Sequence, residues 1–190
     1  MKIENKVIVV TGGAGGIGQA LARNFINENA KAVILLDINF DNFVSTNNKL
    51  ISKICDVTIE KELARIIDEI NHEFGLIDIF CSNAGILSLG NEQTSIKDWN
   101  KNWYLHVMSH VFAAKKLIPE MLKRGSGYFV NTSSAAGLLS HIDSVTYSTT
   151  KHAAIGFAEW IAITYGKQGI GVSILCLSLI HISEPTRQSL

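Results

Sequence analysis

The sequence predicts an α/β fold, a doubly wound parallel sheet, on three observations. Apolar runs of strand length alternate with amphipathic segments of helix length along the chain. Most of those runs are apolar at consecutive positions, as strands covered by helices on both faces must be. The first run stops at Thr11, gives way to five glycines within residues 12–18, and leads directly into an amphipathic segment. That is the pattern of strand, tight turn and helix.

Taken in order, strands are expected at 7–11, 32–37, 51–55, 77–82, 127–132 and 171–176, and helices at 17–29, 59–74, 95–124 and 146–166. Parallel neighbours joined through helices imply right-handed crossovers. Residues 38–50 are short and rich in Asn, so a loop or a turn or two of helix is expected there. In the long segment, Trp99, Trp103, Val107, Val111 and Ala114 recur at helical spacing and are expected in the core.

Composition narrows the function classes. The chain of 190 residues suggests one domain, and 47% hydrophobic residues can furnish its core. Seventeen basic and 17 acidic residues are scattered, which argues against a nucleic-acid surface. No apolar run approaches ~18 residues, so no membrane span is expected. The amino terminus lacks the apolar stretch and cleavage site of a signal peptide. Cys55, Cys81 and Cys176 sit in or at the ends of apolar runs and read as buried thiols of a cytoplasmic protein.

The glycine turn carries the first chemical signal. Glycine permits the positive φ of a tight turn and lets a ligand approach the backbone. The helix behind it aims unpaired N–H groups and its positive dipole end at the turn, a site for a pyrophosphate. Two registers are open, Gly13-Gly15-Gly18 or Gly12-Gly16-Gly18. An acid about 20 residues on, Asp37, ends the second strand, the place of a ribose-binding carboxylate in a dinucleotide site. It would repel a 2′-phosphate, and no Arg or Lys lies within the turn or just after Asp37 to offset that. The reading is therefore NAD and not NADP. Asp56-Val57 and Asn83-Ala84-Gly85 follow the third and fourth strands, at the ligand end of the sheet. There Asp56 is placed to meet the adenine amino group, and Asn83 to fix the strand or the cofactor.

Tyr147 and Lys151 lie four apart, on one face of a helix. A free tyrosine has a pKa of about 10, and about 4 kcal/mol of differential stabilisation would bring it to ~7. A neighbouring ammonium and a bound nicotinamide cation act in that direction. His106 and His110 are also four apart, but the stretch lacks the inner glutamate of a zinc-protease helix and no third ligand is nominated, so no metal is expected.

Together these motifs resemble the short-chain dehydrogenases/reductases. The matching residues are Thr11, Gly12, Gly16, Ile17 and Gly18, then Asp56-Val57, Asn83-Ala84-Gly85, Asn131 to Ser134, and Tyr147 with Lys151. The resemblance covers residues 3–176 and selects the Gly12-Gly16-Gly18 register. It implies a Rossmann-type sheet of strand order 3-2-1-4-5-6 and an NAD-dependent oxidoreductase acting on an alcohol or carbonyl compound. Tyr147 is implied as general acid/base. Ser134 would hydrogen-bond the substrate oxygen, and Lys151 would bind the nicotinamide ribose and support Tyr147. Ile17, Ala84, Gly85 and Val57 are implied as cofactor contacts. A homodimer or homotetramer is implied as well.

In place of the asparagine usual in the long helix stands His106, expected to hold a water of the proton relay and to titrate near neutrality. Apolar Ile86, Leu87, Leu89, Leu138, Leu139 and Ile142 flank the expected site and hint at an apolar secondary alcohol or ketone. The alternatives weighed are a non-catalytic dinucleotide-binding sensor or interaction protein, and a methyltransferase on a similar sheet, which has no use for a Tyr-x-x-x-Lys helix.

Residues 177–190 depart from the family. Residues 177–187 resemble the translation of a transposase sequencing adaptor, and the tail is expected to be foreign. On that reading residues 1–176 are an incomplete NAD-binding domain. It lacks the final strand and the substrate-covering segment and is expected to bind substrate weakly.

Overall fold

The structure, a computed structural model, describes residues 2–41 and 47–178. Part of the expected 38–50 connection, and all but the first two residues of the expected foreign tail, lie outside these.

Six parallel strands form one sheet in the order β3-β2-β1-β4-β5-β6, the predicted arrangement. They are β1 (Val7–Thr11), β2 (Ala32–Asp37), β3 (Leu50–Ile54), β4 (Ile79–Ser82), β5 (Gly127–Ser134) and β6 (Ile170–Leu177). Leu177, placed in the tail by the sequence, closes β6 opposite Ser134. The order reverses between β1 and β4, which opens a crevice at their carboxyl ends, where a doubly wound sheet holds its ligand.

Each central strand feeds two cores, because successive side chains point to opposite faces. Val7, Val9, Ile34, Leu36 and Phe80 pack on one side with Leu63, Ile67 and Ile70 of α2 (Glu60–Phe74) and with Ala113 and Leu117 of α4 (Ser109–Arg124). Ile8, Val10, Val33, Leu35, Ile79 and Cys81 pack on the other with Ala22 of α1 (Gly16–Asn27). This explains the unalternating apolar runs. Cys55 and Cys81 are buried as expected. Cys176 is not: it lies exposed on β6, the edge of the sheet.

The long helix of the sequence is three pieces: α3 (Ile96–Trp103), a π-helical turn (Tyr104–Met108), and α4. Ser95 caps α3 by accepting from the Asp98 N–H at 3.1 Å. The π turn inserts an extra residue, so an apolar stripe counted at 3.6 per turn does not carry across it. The buried face of α3 is marked by Asn102, fully buried, while Trp103 is 40% exposed, against the expectation that it is core. The last helix, α5 (Val145–Tyr165), packs beside the π turn and β6.

Phe80 is 1% exposed at the centre of the sheet. Phe80→Ala is expected to cost roughly 3–5 kcal/mol, read from the urea midpoint; a loss under about 1 kcal/mol would mean that this core does not hold the sheet.

Candidate active site

The site begins with Thr11, the last residue of β1. Its hydroxyl accepts from the backbone N–H groups of Asn83 and Ala84 at 2.9 and 3.0 Å. Its own proton goes to the Cys81 carbonyl at 3.3 Å. The Asn83 amide donates to the Thr11 carbonyl at 3.0 Å, and its oxygen accepts from the Thr132 hydroxyl at 3.0 Å. The carboxyl ends of β1, β4 and β5 are thereby tied together. The Thr132 carbonyl in turn accepts from Lys151 Nζ at 3.0 Å. Thr11 and Thr132 fall within the matching stretches of the sequence but were given no role there. Their signal was position alone: a hydroxyl where an apolar strand ends.

The glycine turn is shaped by contact. Gly12 has φ +66°, and a Cβ there would lie 2.9 Å from the Ala84 Cα. A Cβ at Gly18 would overlap the Gly12 carbonyl, whereas one at Gly16 meets nothing. Gly12 and Gly18 are thus demanded by the turn itself, and Gly16 opens space above it. Helix α1 has Gly15 at its N-cap with no side chain capping its N–H groups, which leaves them free for an anion.

All the expected cofactor residues of the strand ends come together here. Gly12, Gly16, Ile17, Gly18, Asp37, Asp56, Val57, Asn83, Ala84 and Gly85 line one cavity of about 450 Å³. Leu36, Ile38, Cys55 and Leu105, not foreseen, line it too. Asp37 Oδ2 accepts from the Ala14 N–H at 3.0 Å and Oδ1 from the Ile38 N–H at 2.8 Å. A carboxylate has further lone pairs for ribose hydroxyls. Asp56 Oδ1 is engaged by the Thr58 N–H and hydroxyl at 2.9 and 2.6 Å, holding the turn into α2. Burial, with the charges of Glu62 and Asp56, pushes the Cys55 thiol up to about 12, so it stays protonated.

A second cavity of about 400 Å³ adjoins the first, sharing Ile17, Asn83, Gly85 and Ile86. Ser134, Tyr147 and Lys151 line it, with Thr132, Leu87, Ser140 and His141. Ser134 Oγ accepts from the Ala136 N–H at 3.1 Å, which leaves its proton to donate into the cavity. Lys151 Nζ lies 5.5 Å from the Tyr147 ring centroid. Burial lowers Lys151 to about 8, which still leaves it mainly charged at neutral pH. Of the apolar residues expected to flank the site, Ile86 and Leu87 line this cavity. Leu89, Leu138, Leu139 and Ile142 are largely exposed outside it. The two walls are laced together: Gly90 N–H donates to the Asp143 carbonyl at 2.7 Å, and Ser144 Oγ to the Ser88 carbonyl at 2.5 Å.

His106 lies behind the site. It is fully buried on the π turn, its ring edge-on to Tyr147 at 5.6 Å. Nε2 accepts from the Ile86 N–H at 3.1 Å, so Nδ1 carries the proton and donates to Thr150 Oγ1 at 2.9 Å. Both ring nitrogens are taken by protein groups, and neither is left for a water. Burial, then the Lys151 charge, lowers its pKa to about 3, which corrects the expectation of a group titrating near neutrality. A Cβ at Gly85 would lie 3.3 Å from His106 Nε2; the imidazole therefore supports the Gly85–Ile86 backbone. His110 is also buried, with Nδ1 unpartnered and its pKa lowered to about 3 by burial and then by Lys151. No group of three or more His, Cys, Asp or Glu suited to a metal occurs among the described residues.

A glycine turn at the switch point of a parallel sheet, joined to a cavity holding Ser, Tyr and Lys, defines a dinucleotide-dependent enzyme of the Rossmann class. The short chain dehydrogenase family model matches residues 6–189, and the chain belongs to that family. It is 32% identical over 182 residues to an uncharacterized oxidoreductase of Thermotoga maritima, covering 93% of this chain and 72% of that one. It is 30% identical over 186 residues to a meso-2,3-butanediol dehydrogenase of Serratia marcescens, covering 95% and 73%. An NAD+-bound xylitol dehydrogenase superposes with TM-score 0.86 at 27% identity, covering 94% of this chain and 72% of that one. The family makes this protein an oxidoreductase that uses NAD(P) and acts on small molecules. No helix among the described residues is long and apolar enough to cross a membrane.

His106 and His110 bind fewer protons folded than unfolded between pH about 3 and 6.5. Their neutral burial therefore costs nothing above pH 6.5 and destabilises the fold increasingly as pH falls through that window. His110→Phe should flatten the fall of stability between pH ~6 and ~4 by up to about 1.4 kcal/mol per unit, measured by urea unfolding; an unchanged slope would contradict it.

Proposed function

We propose that the protein is an NAD-dependent dehydrogenase/reductase interconverting a secondary alcohol and its ketone. One observation carries the reading: Ser134, Tyr147 and Lys151 line a single cavity that opens onto the glycine-turn cavity through Ile17, Asn83, Gly85 and Ile86. The geometry suits a dinucleotide. Pyrophosphate would lie over Gly16 and the uncapped start of α1, with adenosine ribose at Asp37 and adenine near Asp56 and Val57. The Asp37 carboxylate supports NAD over NADP, since among the described residues no cationic side chain lines that cavity to receive a 2′-phosphate. When bound, the nicotinamide supplies hydride acceptance or donation.

The chain's own residues handle the proton. In the oxidative direction the Tyr147 phenolate oxygen takes the proton of the carbinol and becomes the neutral phenol. Ser134 donates its free O–H to the same substrate oxygen and favours the charge that develops there. The Lys151 ammonium, held by the Thr132 carbonyl, stabilises negative charge on Tyr147. A Cβ at Gly85 would lie 3.5 Å from Lys151 Nζ, so glycine there keeps room beside the ammonium for the nicotinamide ribose. His106 acts from behind as a neutral strut. Trp160 and Ile163 stand exposed on α5, an apolar face that supports assembly with a second copy of the chain.

The test is NAD reduction with a panel of secondary alcohols. Tyr147→Phe should lower kcat by at least about 10²–10⁴ with NAD affinity retained. Asp37→Ala should lower the NAD:NADP ratio of kcat/KM at least about tenfold. Unchanged kcat in Tyr147→Phe would overturn the reading.

A further inference from the structure

The substrate cavity holds one polar ring that the proposed reaction does not use. His141 lies on the wall between β5 and α5. Its place is fixed from two sides. The backbone N–H donates to Ser148 Oγ at 2.9 Å, and that hydroxyl donates back to the His141 carbonyl at 3.4 Å. Ser148 is the residue after Tyr147 on α5, so the wall is pinned to the turn of helix that carries the tyrosine. The His141 ring stands edge-on to the Tyr147 ring, centroids 6.4 Å apart and planes at 78°. Tyr147 thus has His106 on one flank and His141 on another.

The orientation of the ring decides what it offers. Nδ1 lies 2.5 Å from the Ile142 carbonyl. A carbonyl only accepts, so Nδ1 carries the proton. In the neutral ring Nε2 is then a lone-pair acceptor with no hydrogen-bond partner among the described residues.

We infer that His141 is a specificity-determining residue that accepts a hydrogen bond from a second hydroxyl of the substrate, on the carbon beside the reacting carbinol. The inference rests on the dehydrogenase reading and narrows it from secondary alcohols to vicinal diols and α-hydroxyketones. The partner of Nε2 must be a donor. A ketone or ether oxygen there sets lone pair against lone pair. A cationic amine would share the cavity with the Lys151 ammonium, and among the described residues no Asp or Glu lines that cavity to balance it. A hydroxyl satisfies both conditions.

The test compares kcat/KM for 2,3-butanediol and 2-butanol with saturating NAD in the wild-type chain, His141→Leu and His141→Gln. The wild type should favour the diol by roughly ten- to a hundredfold. His141→Leu should bring the ratio near one, chiefly by raising KM for the diol. His141→Gln, whose amide oxygen can accept, should restore part of it. A ratio unchanged in His141→Leu, or a wild type that treats both alcohols alike, would overturn this inference and leave the dehydrogenase reading intact. A wild type that binds NAD but turns over neither alcohol would overturn both.

Discussion

The site depends on one run of hydrogen bonds across the carboxyl ends of three strands: Thr11 to Asn83, Asn83 to Thr132, and Thr132 to Lys151. Parallel strands end in unpaired backbone groups, and buried polar groups left without partners are costly. Here the Thr11 hydroxyl and the Asn83 amide satisfy them. The same bonds fix the distance from the glycine turn to the ammonium. An isolated ammonium would not stay charged at 4% exposure without such a partner. The Thr132 carbonyl provides it and holds the charge beside Tyr147. The glycine-turn cavity and the cavity lined by Ser134, Tyr147 and Lys151 are adjacent because β1, β4 and β5 are stitched side by side.

His106 shows how a different side chain can serve that architecture. The π turn rotates the helix locally and brings the imidazole against Gly85 and Ile86. Its two nitrogens satisfy an otherwise open backbone N–H and a buried threonine hydroxyl. Protonation would break one of these bonds and set two positive charges close together. The ring is therefore held neutral, a structural acceptor and donor with no titration in the physiological range.

The fold was largely legible in the residues. Runs such as Val7 to Val10 and Ala32 to Leu36 are apolar at every position because each strand feeds two cores, and that signal is local. The clustering of Gly12, Asp37, Asn83 and Ser134 followed from a simple rule, that strand ends in a parallel sheet share one edge, whereas Tyr147 and Lys151 on α5 were joined to them by the family resemblance. What was not legible depends on single residues. A π turn costs one residue and leaves no periodic mark, so the exposure of Trp103 and the burial of Asn102 could not be read. Cys176 looks like core by its neighbours, yet an edge strand exposes it. The roles of Thr11, Thr132 and His141 are matters of partner and angle, which spacing along a chain does not encode.

The most direct test of this account is Asn83→Ala, followed by NAD affinity and alcohol kcat/KM on protein that still unfolds cooperatively. If the strand-end bonds set the cofactor turn and the ammonium together, both quantities fall at least about tenfold, in line with the loss of roughly 1–3 kcal/mol of buried hydrogen bonding. A folded Asn83→Ala protein with wild-type NAD affinity and wild-type turnover would contradict it.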